Sequence, residues 1–599
     1  MTISDNDKPT PYQFVTATKP SHFKDKSANK IVRSQATSYV RRKASLLKKA
    51  SQAAVEDVSE ESRRSSKTTG PRPETNYNSS PRLLDHTASD EQSHLYAQNL
   101  RSLAATSAVN DEKYAKGLRV PIPVSAPSEP SWKTQCGEQV QHGTDETLDG
   151  GRNLDTEELK MRILIRHLAK CSAHGNMPDP SDILPRFVNP QLNSIFFIRH
   201  CLRTFVTIST MEGWLPAVLN DPHLILSSTL ITSGWLDMQE GIRGESVRTC
   251  MVKAEVYAMA AGHLHNPHVT LKDASILVVD NLLMGEMWDL DEDHLRMHQN
   301  RIAYLVQQRG GMQKSENKTI LEISAACCFH TDLICNTDPS PIFEEWDPQD
   351  ICPDPFSHFV ESPFSNQNTG SSVPKPLVQL ICDMRDLGDL FIGCATTMSN
   401  VDTAQHKDTT RMSSSAFELN TWTSEMIDRL INLPSASEAG HLFTDDWIYE
   451  SCRIASLIYA AAIKVRISFP EAADPTRNSL YAESVRLSGG SKCTTSLSVL
   501  LFKTLERTDI ENTWGDLAGV LYWVCSIGAM SARTTTMEQG ASTEFDIWVR
   551  RCLSMHASRL LIMLAFQYSL PMATMAKKLL KVRQLVAPTR HRVCIPSSK

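Results

Sequence analysis

At 599 residues, with 41% hydrophobic and 22% charged residues, the chain has a globular composition and enough length for more than one ordinary core; Gly (25) and Pro (31) are too sparse for a collagen-like chain. Its longest nearly uncharged helical stretch, Leu517 to Met530, is too short to span a bilayer, and Met1 to Thr10 is polar, so neither a membrane span nor a secretory leader is expected. The net charge of -6 hides a split: residues 1–70 carry 14 Lys/Arg against 7 Asp/Glu, and the remainder carries 48 against 61. A basic arm on an acidic body points to a polyanion or an import receptor as the arm's partner.

In chain order, residues 1–75 read as a largely disordered basic arm. Arg63-Arg64-Ser65-Ser66-Lys67 and Gly70-Pro71-Arg72-Pro73 are loop signals. Within it, 28–50 fits an amphipathic basic helix. Val32, Ala36, Tyr39, Val40, Leu46, Leu47 and Ala50 share one face, broken only by Lys43; Lys30, Arg33, Arg41, Arg42, Lys48 and Lys49 lie off it. Residues 76–155 read as a polar linker. From 156 to 590 the texture is helical, with periodic segments at Glu157–Ser172, Asp221–Gln239, Glu245–His265, Lys272–Met287, Asp293–Arg309 and Thr319–Cys335. Pro190 is read as the first-turn residue of a helix reaching Ile208. A Pro-, Ser- and acid-rich insertion at 340–372 reads as disordered, with Phe343 and Trp346 lending it an activation-segment flavour. Helical patterns resume at Pro376–Met398, Ala416–Leu433, Thr444–Ser468, Ser496–Arg507, Leu517–Ser531, Ser542–Gln567 and Pro571–Val586. No strand–helix alternation and no hairpin dipeptides appear, so the fold class is all-α: a large helical regulatory-type domain behind a long disordered basic arm.

Chemical signatures are sparse. The 15 cysteines are dispersed, as in a reduced compartment, and no C-x2-C pair offers the short spacing a structural zinc needs. Cys327, Cys328, His330 and Cys335 fall in an apolar helical run and read as core residues. His263, His265 and His268 read as a polar helix end. His294 and His298, one turn apart, read as surface histidines, because Leu295 stands where a zinc protease needs its general-base Glu. Asp289, Asp291, Glu292 and Asp293 suit the start of a helix. Gly489-Gly490-Ser491-Lys492 lacks the upstream glycine of a phosphate loop and reads as a turn; Gly310-Gly311 reads as a helix C-terminus. No G-x-S-x-G elbow occurs. The expectation is a chain that is not an enzyme, with no cofactor and no metal site.

An ordered series of segments resembles the fungal-specific transcription factor domain family. The series runs through Phe187-Val188-Asn189-Pro190, Ile195 to Cys201, Trp214-Leu215-Pro216 with Asn220-Asp221-Pro222, Asp273 to Val279 with Gly285-Glu286, His298 to Arg309-Gly310-Gly311-Met312, and Trp514 to Val524. In the arm, Phe14-Val15-Thr16 with Pro20, Val32 to Ala36 and Arg41-Arg42-Lys43 resemble the branch that lacks the N-terminal binuclear zinc cluster. The first cysteine, Cys136, lies far beyond the arm.

The resemblance implies a nuclear transcription regulator acting through a helical regulatory domain, by family habit one controlling a secondary-metabolite gene cluster. Its implied partners are the transcription machinery or another DNA-binding protein, with a homodimer also allowed and no membrane. The arm's ten cations between Lys19 and Lys49 would touch phosphates non-specifically. Nothing there fixes a base-reading geometry, and no leucine heptads continue past Leu47. Arg33, Arg41, Arg42, Lys43, Lys48 and Lys49 are the candidates for nuclear import and phosphate contact. The alternative is a cytoplasmic or nuclear scaffold or adaptor without DNA-binding activity, which the missing zinc cluster motivates.

Overall fold

Helix α1 (95–105) opens the described part of the chain inside what the sequence presents as linker. Its Tyr96, Ala97 and Leu100 are buried. The structure, a computed structural model, describes residues 95–105, 156–171, 183–221, 223–264, 272–313, 317–347, 374–403, 421–489, 494–533 and 544–586, all within one compact unit, Asp85–Lys599. Among the described residues every long element is a helix and no strand occurs, so the body is all-α. No helix there is long and apolar enough to cross a membrane.

The elements follow in order as α2 (Thr156–Cys171), α3 (Ser194–Thr204), α4 (Ile208–Asn220), α5 (His223–Ser227), α6 (Thr229–Gln239), α7 (Val247–Leu264), α8 (Asp273–Gly285), α9 (Glu292–Gln308), α10 (Lys318–Cys335) and α11 (Pro341–Glu344). The second half supplies α12 (Lys375–Thr403), α13 (421–431), α14 (Trp447–Val465), α15 (Phe469–Ala472), α16 (Ser479–Leu487), α17 (Leu497–Leu505), α18 (Ala518–Ser531), α19 (Glu544–Ala565) and α20 (Ser569–Val586).

Local chemistry sets many of the boundaries. Asn193 caps α3 by accepting from the Phe196 N–H, so this helix starts at Ser194 and not at Pro190, which lies in a turn. Thr207 caps α4 in the same way, and α4 carries Pro216 in its interior at the cost of one helical hydrogen bond. Asp291 caps α9, accepting from the Asp293 and His294 N–H groups. Helices α10 and α14 end in left-handed residues, Asn336 and Arg466.

Helix α10 is the hub. It packs most extensively on α20 and also touches α8, α9, α18 and α19, so its buried residues run almost without break from Ser324 to Cys335. A helix buried on every side belongs inside a large core, and its enclosed polar residues Ser324, His330 and Thr331 are hydrogen-bonded there. Helix α18 is buried along its whole length between α19, α14 and α17. Its Tyr522, Val524 and Cys525 are fully enclosed. At full burial each large apolar side chain contributes about 1.5–3 kcal/mol.

Arginines from four other helices or their ends close the C-terminus of α10. Arg533 donates to the Cys335 carbonyl, Arg550 to Ile334 O (3.2 Å), Arg583 to Asp332 O (2.5 Å) and Thr337 O (2.6 Å), and Arg296 to Asp338 O (3.3 Å). Cations here complement the negative end of the helix dipole, and Arg533 and Arg550 satisfy the carbonyls of Cys335 and Ile334 in the last turn. The insertion expected at 340–372 begins differently from that reading: Pro341–Glu344 is a helical turn whose Phe343 is buried, with Trp346 beside it. Residues 348–373 lie outside the described residues, as do the arm, the 28–50 helix, and the rest of the 76–155 linker.

Candidate functional site

The six basic residues singled out in the sequence, Arg33, Arg41, Arg42, Lys43, Lys48 and Lys49, lie outside the described residues. The structure brings together a different constellation, one that sequence patterning missed. His298, read as a surface histidine, is fully buried, because the face of α9 that carries it also carries Leu295, Ile302 and Leu305 into the core. His294, one turn earlier, sits at the rim and is partly exposed. The i,i+4 spacing was legible, but the inward face could be told only by noticing that His298 shares the apolar stripe.

Glu286 is the centre of the cluster. It follows the last turn of α8 and is completely enclosed. Its carboxylate accepts from Lys253 Nζ of α7 at 2.9 Å and from the Tyr257 hydroxyl one turn along the same helix. His294 Nδ1 stands 3.7 Å away. Burial by itself would raise this carboxyl. The Lys253 ammonium, with the two histidines, overcomes that penalty and holds the group well below the usual carboxylate range. Lys253 in turn donates to Glu245 at 2.7 Å; burial opposes its charge, but the two carboxylates keep it protonated, above the ordinary lysine value. Burial raises the Glu245 carboxyl.

The network continues to helix α1. Tyr257 OH lies 3.4 Å from His298 Nε2, and the Tyr96 hydroxyl meets His298 Nδ1 at 2.8 Å. Burial lowers His298 to about 4, the Glu286 charge only partly opposing it, so the imidazole is neutral and takes one hydrogen bond while giving another. The Arg301 guanidinium lies 5.2 Å from the Tyr96 ring centre and 5.1 Å from that of Tyr304. Four elements (α1, α7, α9 and the end of α8) are therefore clamped by one polar thread through an apolar core. The arrangement fixes α1 on the body. It does not present an open face to a substrate, since Tyr96, Lys253, Tyr257, Glu286 and His298 are all buried.

Other residues noted in the sequence take structural places. Cys327, Cys328 and Cys335 are core residues whose thiols burial pushes up. His330 is enclosed between Tyr522 OH (3.2 Å) and Ser558 Oγ (3.0 Å), and burial lowers it to about 3. His263 lies 2.6 Å from Asp221, and His265 and His268 are outside the described residues. Among the described residues, no three His, Cys, Asp or Glu side chains gather as a metal-holding group.

The resemblance-bearing segments also form contacts with the framework. Val188 and Asn189 N–H groups both donate to Glu255 of α7, at 2.9 and 3.2 Å. Arg309 pairs with Asp273 across the α8–α9 hairpin, and Gly310 and Gly311 adopt φ of 93° and 83°, where a side chain would be strained. No known protein family, no characterised protein and no solved structure matches the chain.

Proposed function

We propose that this protein is a nuclear regulator of transcription that works by association: the helical body engages partner proteins, and the basic arm supplies nuclear import and weak phosphate contact. The observation that carries the reading is the charge division, ten cations and one acid between Lys19 and Lys49 attached to an acidic body. The resemblance of the ordered segments to the fungal-specific transcription factor domain supports it. So does the nature of those segments' residues, which make framework contacts of a large helical domain. Control of a secondary-metabolite gene cluster belongs to the same reading.

The test has two arms. Replacing Arg41, Arg42, Lys43, Lys48 and Lys49 by Ala disperses a fluorescent fusion from nuclei; undiminished nuclear accumulation refutes the role given to the arm. Chromatin immunoprecipitation with sequencing on the tagged protein yields defined promoter peaks. Their absence, with a flat transcript profile in a deletion strain, overturns the regulatory reading and leaves an adaptor.

A further inference from the structure

Helix α1 reaches its place on the body from far away in the chain. Fifty residues, 106–155, separate its end from α2, so connectivity leaves its position open and its own side chains choose the seat. Those side chains form one stripe: Tyr96, Ala97, Leu100 and Ala104 are buried, while Gln98, Asn99 and Arg101 are exposed. The aromatic end of the stripe lands on α9. The Tyr96 hydroxyl meets His298 Nδ1 at 2.8 Å, the two rings meet edge to face at 6.1 Å, and the Arg301 guanidinium lies 5.2 Å from the Tyr96 ring centre. An amphipathic helix laid in a groove is held in this way, by anchors one turn apart under a polar back. Eleven residues are too few to persist as a helix away from such a surface, so seating and folding of α1 are one event.

We propose that α1 is a detachable ligand of the body, which leaves the α9 seat while the rest of the fold persists, and that the vacated seat binds a partner's helix of the same pattern: Tyr-Ala, Leu one turn on, Ala one turn further. The tyrosine is what makes the seat selective. A helix with an apolar residue in its place buries His298 Nδ1 without a partner. Acid opposes seating. The charged and titratable groups around Tyr96 and His298 are Lys253 and Tyr257 of α7, Glu286 at the end of α8, and His294 and Arg301 of α9. Burial holds the seated His298 at about 4, the Glu286 charge only partly opposing it. With Tyr96 gone, water reaches Nδ1 and the imidazole moves up towards its ordinary value near 6.5. The seated state therefore binds fewer protons, and seating weakens as pH falls, by up to about tenfold between pH 7.5 and 5.5. Glu286, held low by Lys253, keeps its charge over that interval, and His294 answers to Glu286 and Asp291, which stay in place when α1 leaves. The seat stands or falls on the purified chain, whatever the outcome for nuclear import or promoter occupancy.

Full-length Tyr96→Ser/Leu100→Asp vacates the seat, and a fluorescent, end-capped peptide of residues 95–107, which carries no histidine, is the probe. Anisotropy at pH 7.5 shows saturable binding to this variant. The unaltered chain, whose own α1 competes within the molecule, binds the probe more weakly by about fivefold or more. A Tyr96→Phe probe loses about threefold or more, and a Leu100→Asp probe does not bind. At pH 5.5 affinity for the variant drops several-fold, and adding His298→Asn to the variant abolishes that drop. No saturable binding, equal binding of either altered probe, or a pH effect that survives His298→Asn overturns the proposal. Failure of the vacated variant to fold also overturns it, since α1 would then be an integral part of the body. Should only the His298→Asn chain fail to fold, hydrogen exchange of the unaltered chain decides. Protection at 95–105, corrected for intrinsic rates, lies below that of α10 and falls between pH 7.5 and 5.5; equal protection or no fall is refutation.

Discussion

Replacing Lys253 by Met removes the ammonium that holds Glu286 and Glu245 together, and leaves two carboxylates facing each other between α7 and the end of α8. Lys253 is 4% exposed and donates to Glu286 at 2.9 Å and to Glu245 at 2.7 Å; Glu286 is fully enclosed. Breaking a buried pair by deleting one partner costs about 3–5 kcal/mol, because the remaining charge is desolvated without compensation. Met fills much of the lysine stem's volume, so packing loss adds little. The double variant Lys253→Met/Glu286→Gln removes both charges and recovers most of the loss, leaving a coupling energy of about 2 kcal/mol or more. Urea unfolding of the four members of this cycle, at neutral pH, measures it.

The pH dependence provides a second reading of the same variant. In the unaltered chain Glu286 is held below its ordinary value, so its stabilisation is present above about pH 4.5 and is lost as pH falls below that. Without Lys253 the dominant cause is burial, which raises the carboxyl; the variant then becomes more stable as pH is lowered from 7 towards 5. A single-variant cost below about 1 kcal/mol, with no coupling and no reversal of the pH slope, refutes the central role of Lys253 in the cluster.

Asp280→Asn, which removes a carboxyl that burial raises, gives the opposite sign of test. A folded-state value near 7 against an ordinary value near 3.8 means the folded chain holds its proton longer than the unfolded one, so this group's contribution falls as pH rises from about 4 to 7. At about 1.4 kcal/mol per unit the difference is at most about 4 kcal/mol; the stability curve of Asp280→Asn should lack that decline, and parallel curves would contradict it. Gly285→Ala drives a Cβ into the side chain of Leu230; overpacking costs about 1–3 kcal/mol by thermal unfolding, and a stabilised variant would show that α6 yields at no cost. Leu100→Ala, at a fully buried position of α1, removes about 2–4 kcal/mol from the contact of a helix too short to persist alone. Hydrogen exchange at 95–105 should become fast while the body's melting is little changed; retained protection there would count against the docking.

How much was legible in the residues varies by element. Helices α7, α9, α10, α18 and α19 repeat their apolar positions over many turns, so their existence and approximate limits follow from periodicity. Helix α4 did not stand out because Gly213 and Pro216 interrupt it, and it holds together only because Thr207 caps it and Trp214 and Val218 bury against the core. Helix α1 contributes few apolar residues in a polar setting. Its conformation depends on Tyr96 and Leu100 finding the body, a contact no local pattern announces.

Composition and patterning by themselves determined that this chain makes a helical body and that residues 1–70 carry an excess of cations, because charge content and a 3.6-residue apolar repeat are local properties that need no knowledge of neighbours. Which polar side chains meet inside was a matter for the tertiary structure. Lys253 belongs to α7, Glu286 to the end of α8, His298 to α9 and Tyr96 to α1; His298 shares the apolar stripe of its helix, but nothing on any one helix says that the four meet. Only packing takes all four out of water, and once desolvated they become one another's partners.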